Sequence, residues 1–385
     1  MALKNIKLFK LILLAVIIFN VFSVIYSQRE KFLASNYWQE FPKLKQIFYD
    51  SVYKNKDGEF ISDTVVYSYA AGSLARGESP ILENPEVPPF GKYLIALSII
   101  IFNNPHIVIA VFAVLVLILM YFVGKQILDN TLLALIPPFI FSFEPMFKNQ
   151  IIVTPLLDIM QAAFLLAIFY FFNKSREKIQ PILHTLLTVI FFGFFISTKF
   201  FGTGVSVVGA LFLSLLIHKQ WKLIKYYLLF LPISILILLL NYTRVLLDGY
   251  PLNRFFGIQK WVFLYNKGHV REPFSIWPLL LFNKWHTGGI VSSDPQWLIT
   301  WPLATIISIV TLIVGFIKRI IKPQAEILIF WAVFYMVLMS LVDATARYFV
   351  ILMPVLYIVA TYGAIEVLKV YKADKLIKKN LDLKS

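Results

Sequence analysis

Apolar residues recur along this chain in unbroken runs of about 15 to 20 residues, roughly the length an α-helix needs to cross a bilayer. The runs fall at about 8–27, 106–123, 131–146, 156–172, 182–198, 203–218, 226–241, 301–317, 326–342 and 348–366. They predict about ten transmembrane helices joined by short turns. Two long polar stretches, 28–105 and 242–300, interrupt the series. One further apolar segment, Tyr93–Phe102, holds only ten residues, too few to cross. The expected fold is therefore all-α and integral to the membrane. A single transmembrane domain covers 1–366, and a basic tail covers 367–385.

Composition supports this reading. The chain is 59% apolar and 15% charged, against roughly 45–50% and 25% for a soluble domain. It has no cysteine, which removes disulfides, thiolate metal sites and cysteine nucleophiles from consideration. Lys4, Lys7 and Lys10 followed by an apolar stretch resemble a signal peptide. Leu8–Tyr26 is long for that and shows no small-x-small cleavage site, so it is read as the first span.

The net charge of +15 is an orientation signal, not a nucleic-acid footprint. Lys and Arg concentrate in cytoplasmic loops. If Tyr93–Phe102 does not cross, the N-terminus, 124–130, 173–181, 219–225, 318–325 and the tail share one side. That side holds 19 of the 36 basic residues but only six of the 21 acidic ones, so it carries 13 of the 15 net positive charges. Both termini are then cytoplasmic, both long loops lie outside, and Tyr93–Phe102 lies along the outer surface. Glu144, Asp158, Lys199, Asp343 and Arg347 fall at outer span ends. No expected span carries a charge near its middle, which argues against an ion-coupled transporter.

The first outer loop reads SDTVVYSYAAGSLARGESPILENPEVPPFGKYLIAL. An acid, a tyrosine four residues on, a small-residue helix ending Ala-Arg-Gly, then Pro-Pro-x-Gly-Lys before a short apolar helix: this resembles the first loop of the GT-C superfamily of membrane glycosyltransferases. The likeness is greatest to the protein O-mannosyltransferases and the aminoarabinose transferases of lipid A. Other segments agree in order: FEPMFKNQIIVTPLLDIMQAAFLLAIFYFF, FFISTKFFGTGV, SSDPQWLITWPL and ARYFVILMPVLYIVATYG. The matches cover most of 55–365, and the family also has seven spans before its large outer loop.

The resemblance implies transfer of one sugar, with mannose expected, from a polyprenyl-phosphate carrier to an extracytoplasmic acceptor at the cell membrane. It places Asp63 at the first acid of the family's Asp-Glu pair, as the base that takes the acceptor proton in an inverting step. Thr64 stands where the second acid would be. Asp63 reads equally as a helix N-cap. Lys199, Arg347 and Lys92 are the expected cations for the carrier phosphate, although each can also snorkel to lipid headgroups. Glu86, Glu144, Asp158 and Tyr67 are the expected sugar or acceptor contacts. Asp158 has a structural alternative, in the first turn of a helix capped by Thr154 with Pro155 behind it. Val153 replaces an arginine that the mannosyltransferases usually carry.

Trp261, Trp277, Trp285, Trp297 and Trp301 read better as an interfacial belt than as sugar-stacking rings. His269 and His286 have no ligand spacing, and the first loop lacks D-x-D. No obligatory metal is expected, although some superfamily members use a divalent ion. Two other functions stay open: a non-catalytic accessory protein of the same fold, and a lipid-carrier flippase or transporter. The acceptor is a protein, a lipid or a glycan. Membrane-impermeant labelling should map the neighbourhood of Lys199 to the outer face; a cytoplasmic result would overturn the topology and the site together.

Overall fold

The computed structural model describes residues 2–55, 57–199, 201–268, 272–287, 289–343 and 345–382. The chain begins with α1 (Ala2–Ser27), followed by four helices in the first polar stretch: α2 (Arg29–Leu33), α3 (Tyr37–Asp50), α4 (Asp63–Ala75) and α5 (Phe90–Phe102). Next come α6 (Ile107–Leu128), α7 (Ile136–Phe143), α8 (Pro145–Ile152), α9 (Asp158–Ser175), α10 (Pro181–Thr198), α11 (Gly204–Ile217) and α12 (Trp221–Leu240). The second polar stretch holds α13 (Thr243–Leu247), α14 (Leu252–Gly268), α15 (Ile276–Phe282) and a two-stranded hairpin, Trp285–Thr287 with Ile290–Ser292. The chain closes with α16 (Thr300–Lys318), α17 (Pro323–Met339) and α18 (Phe349–Asp382).

Every expected span coincides with a helix. Among the described residues, six helices are long and apolar enough to cross a membrane by themselves: those at Ile6–Ser27, Ile107–Leu128, Pro181–Thr198, Trp221–Leu240, Thr300–Lys318 and Ala346–Tyr371. Leu133–Phe143, Gly204–Ile217 and Pro323–Met339 are shorter. The apolar run at 131–146 is broken in two, because Pro145 starts a new helix beyond Glu144. Proline lacks the N–H that would continue the first helix, but fits a new first turn. The protein is a multi-pass membrane protein.

Burial separates the centre of the bundle from its rim. Asp158–Phe169 of α9 is buried at every position, as expected of a helix that is apolar all round. It packs against α6, α10 and α18. On α12, by contrast, most positions are open, and Leu228, Leu229, Ile235, Leu236, Leu239 and Leu240 are exposed on its outer face.

A polar clasp closes one end of the bundle. Glu326 at the start of α17 accepts from Ser214 at 3.0 Å and pairs with His218 at 2.8 Å. Arg176 reaches Ser214 and the Pro323 carbonyl.

The opposite end carries α2–α5. At 13 residues, α5 is about 20 Å long, well short of the hydrocarbon thickness. Lys31 of α2 donates to the Ile152 carbonyl at 2.6 Å. Tyr37 of α3 donates to the Ser68 carbonyl of α4 at 2.7 Å. α4 ends where its sequence says it should: Gly77 takes φ +80°, its N–H bonds Leu74 O, and the Glu78 N–H bonds Ser73 O. This is the paired closure of a glycine-capped helix.

Gly91 sets how closely α5 docks. A Cβ there would lie 2.8 Å from Leu157 Cδ2, 3.1 Å from Thr198 Cγ2 and 3.3 Å from the Thr198 carbonyl oxygen. Only a residue without a side chain lets α5 reach the start of α9 and the end of α10. Gly91→Val should therefore destabilise the protein by about 1–3 kcal/mol through overpacking, read as a lower unfolding temperature in detergent; an unchanged temperature would mean that α5 is not pressed against those helix ends.

Candidate active site

Four charged groups meet at the α2–α5 end of the bundle. Asp63 is the first residue of α4, and Asp158 the first of α9. Lys199 follows the last residue of α10. Arg347 lies in the short 3-10 turn Ala346–Tyr348 that leads into α18. The Lys199 ammonium donates to Asp158 Oδ1. Arg347 donates from Nη1 to Asp63 Oδ2, while its Nε lies 3.4 Å from Asp158 Oδ2. The second contact is an ion pair without hydrogen-bond alignment, since Asp158 Oδ2 has no hydrogen-bond partner. Tyr67, one turn along from Asp63, donates to the same Asp63 Oδ2 at 3.4 Å. Lys199 also stands 5.5 Å from the ring centre of Tyr348.

Helix ends support this arrangement. Both carboxylates sit in first turns, where the free amide groups favour an anion, and Lys199 follows a C-terminus, where a cation is favoured. Arg347 lies on the unfavourable side of its helix, and two carboxylates offset that. Exposure grades across the cluster. The Asp158 side chain is 0% exposed and that of Lys199 12%, whereas Asp63 and Arg347 are near 30%. Asp158 and Lys199 form a floor, while Asp63 and Arg347 face the opening. Burial lowers the Lys199 pKa, and the Asp158 charge opposes that. Burial, followed by the Asp63 charge, holds the Tyr67 phenol well above its ordinary range, so it stays a donor.

Of the eight residues singled out in the sequence, Asp63, Tyr67, Asp158, Lys199 and Arg347 come together here. The structure gives several of the eight a different job. Asp63 is not the N-cap of α4; Ser62 precedes the helix, and the Asp63 carboxylate turns to Arg347. Thr154 does not cap α9, which starts three residues beyond Pro155. Asp158 is too deeply buried to touch a sugar and instead holds two cations. Lys92 is 1% exposed, and its ammonium is committed to the loop before it, bonding Asn84 O at 2.6 Å, Asn84 Oδ1 at 3.2 Å and Val87 O at 2.9 Å. Burial pushes its pKa down to about 7, against the pull of Glu86. Lys92 is therefore a loop clamp, not a phosphate cation, and half-buried Glu86 belongs to the same loop.

Glu144 is also absorbed by the framework. It is 1% exposed and accepts from Thr300 at 2.7 Å, from Trp301 Nε1 at 3.0 Å and from the Tyr357 hydroxyl. It pins α16 and α18 to the α7–α8 corner, and its burial keeps it out of reach of a sugar hydroxyl. The tryptophans divide in the same way. Trp301 is fully buried, Trp277 donates to Ser340 and Trp297 to the Leu280 carbonyl, so these three are packing anchors instead of a lipid belt. His286 lies 3.6 Å from Glu272, and His269 falls outside the described residues. Among the described residues, no three His, Asp or Glu side chains gather as a metal site. Sequence reading missed Tyr348, although it adjoins Arg347, and it attached importance to Lys92 where Gly91 makes the closer approach.

The central pair makes a stability prediction. Breaking a buried ion pair by removing one partner costs about 3–5 kcal/mol, whereas removing both together is often nearly neutral. Lys199→Met should thus lower the unfolding temperature more than the double variant Asp158→Asn, Lys199→Met. Equal losses would show that the two charges are not coupled.

Known proteins share this framework. The family model for dolichyl-phosphate-mannose-protein mannosyltransferase matches residues 106–243, a stretch that contains Asp158 and Lys199. The chain is similar to the crystal structure of ArnT from Cupriavidus metallidurans bound to undecaprenyl phosphate, with a TM-score of 0.59 and 16% identity over 86% of this chain and 60% of that one. For the apo state of the same protein the TM-score is 0.55, at 16% identity over 79% and 55%. The chain thus spans less than two thirds of the length of ArnT. No curated protein sequence matches it. What these likenesses show is the fold: the chain shares the helical membrane framework of ArnT, and its residues 106–243 are similar to the mannosyltransferase family model.

Proposed function

We propose that the protein is a glycosyltransferase that moves one sugar, with mannose the expected one, from a polyprenyl-phosphate carrier to an acceptor hydroxyl on the extracytoplasmic side of the cell membrane. The observation that carries this reading is the alternating cluster Asp63–Arg347–Asp158–Lys199 at one end of the membrane bundle. It offers a partly exposed carboxylate beside two cations, one of them anchored in the floor. The carrier that ArnT binds in its crystal structure, undecaprenyl phosphate, is the kind of leaving group such cations suit.

In this scheme the acceptor oxygen attacks the anomeric carbon as the bond from that carbon to the phosphate oxygen breaks. The bonding pair leaves with the polyprenyl phosphate, which departs as a dianion toward Lys199 and Arg347. Fixed positive charge placed where negative charge develops is among the largest catalytic terms. The acceptor proton goes to Asp63, which lies on the open side of the cluster. Asp158 is a positioning residue: bridging Lys199 and Arg347, it keeps both cations from relaxing onto lipid headgroups. Because the sugar is attacked opposite its leaving group, the anomeric configuration inverts. Both cations belong to the protein, so transfer should survive EDTA.

The accessory reading draws on Thr64, which stands in place of a second acid and bonds Ser62 Oγ at 2.8 Å. One assay separates the two. With radiolabelled polyprenyl-phosphate mannose and native membrane acceptors, the Asp63→Asn enzyme should transfer about 100- to 10,000-fold more slowly than the unmodified enzyme. Its unfolding temperature should hardly move, because a partly exposed ion pair contributes under about 1 kcal/mol. An Asp63→Asn protein that transfers normally would remove Asp63 as the base, and a wild-type protein that moves no label in any membrane would favour the accessory reading.

A further inference from the structure

α4 has a second polar face. Asp63 and Tyr67 point to the ion cluster, whereas Thr64, Val65 and Ser68 line a separate cavity of about 410 Å³, within the range of small-molecule sites. Its other walls come from α2 and α3, the turn 103–106 before α6, and Thr154. None of the four charged members of the cluster lines it.

The hydrogen-bonding groups of the lining are unequally spent. Several of its donors are engaged inside the protein, although the Thr154 hydroxyl and His106 Nδ1, both in the lining, have no partner. The Lys31 ammonium is on the Ile152 carbonyl, the Tyr37 hydroxyl on Ser68 O, and the Asn103 amide on Ser35 O. The Asn104 amide is on the carbonyls of Lys31, Phe32 and Ala34. Acceptors remain. Asn36 bonds only one carboxylate oxygen of Glu40, at 2.7 Å. Glu30 and Glu40 both stand exposed at the rim. Deeper in, Thr154 is 5% exposed and its hydroxyl has no hydrogen-bond partner. Leaving a buried hydroxyl unpaired is costly, so a polar atom is wanted at that point.

A ligand for this cavity should bring donors for the two carboxylates and a group that can pair the Thr154 hydroxyl. Two carboxylates against one ammonium reject a phosphate. The Lys31 ammonium within the lining also disfavours a cation. Hydroxyl groups meet both conditions, because carboxylates and amides accept from neighbouring hydroxyls in pairs. We propose that this cavity is a carbohydrate site, which holds a neutral glycan portion of the acceptor on the face of α4 next to the one that carries Asp63. The inference rests on the transferase reading for the word acceptor. The binding itself does not depend on that reading.

The test is saturation-transfer NMR on the full chain in nanodiscs, without any donor, using methyl α-mannoside, maltose and chitobiose as probes. At least one neutral saccharide should bind. Glu40→Gln and Ser68→Leu, each checked for an unchanged unfolding temperature, should weaken it by about tenfold or more, since a hydrogen bond to a charged group or the space itself is lost. Inorganic phosphate should not compete. No saccharide binding, binding indifferent to both variants, or preferential binding of a short lysine-rich peptide would each overturn the proposal. Because no donor is present, failure of label transfer from polyprenyl-phosphate mannose would leave a positive binding result standing. Active transfer with no saccharide binding would refute only the carbohydrate site.

Discussion

An anion with no exposure to water must be matched by fixed positive charge, and Asp158 is the place where this chain meets that demand. Its side chain is fully buried at the head of the most enclosed helix of the bundle. An isolated carboxylate there would cost several kcal/mol in desolvation. Lys199 and Arg347 remove that cost only if the end of α10 and the turn before α18 arrive at the same spot. The ion cluster therefore acts as a register mark for three helices. It ties their relative heights to one atom group, and Asp63 joins through Arg347 from 284 residues away.

The same constraint explains why the first polar stretch lies where it does. α4 must present Asp63 to Arg347, so its other faces are left for the helices around it. α3 covers one side through Tyr37 and Phe41, and Phe41 and Phe48 both stack on Tyr69. α5 is drawn against the ends of α9 and α10 by the absence of a side chain at Gly91. Lys92, on the next residue, is turned back to clamp the loop that leads in. The placement of this segment and the completion of the site go together, because α4 supplies Asp63 and Tyr67 while Asp158, Lys199 and Arg347 come from the ends of other helices.

Legibility followed chemistry of different ranges. Asp158, Lys199 and Arg347 could be singled out because charged residues at the ends of apolar runs are few, and Asp63 and Tyr67 because of the motif that the first polar stretch resembles. Glu144 stood out by its place at a span end, and Lys92 and Glu86 by the same motif, and all three went elsewhere. The partners of Lys92 are oxygens of its own loop and those of Glu144 are hydroxyl and indole donors distant in sequence, which no local pattern reveals. Trp301 illustrates the point: as an aromatic at a span boundary it reads as a lipid anchor, yet its N–H meets Glu144 157 residues away and its ring is fully buried.

What the amino-acid order determined by itself is the set of apolar runs and their helical state, since both depend on length and backbone hydrogen bonding. It also determined local punctuation such as the Gly77 cap, which needs only a left-handed residue after Arg76. Only the tertiary structure decided which acid is buried and which is open, which lysine is a clamp and which faces a cation partner, and that α4 divides an ion cluster from a separate polar cavity. Those distinctions depend on exposure and on hydrogen-bond partners far apart in the chain, and both are properties of packing that a linear pattern does not contain.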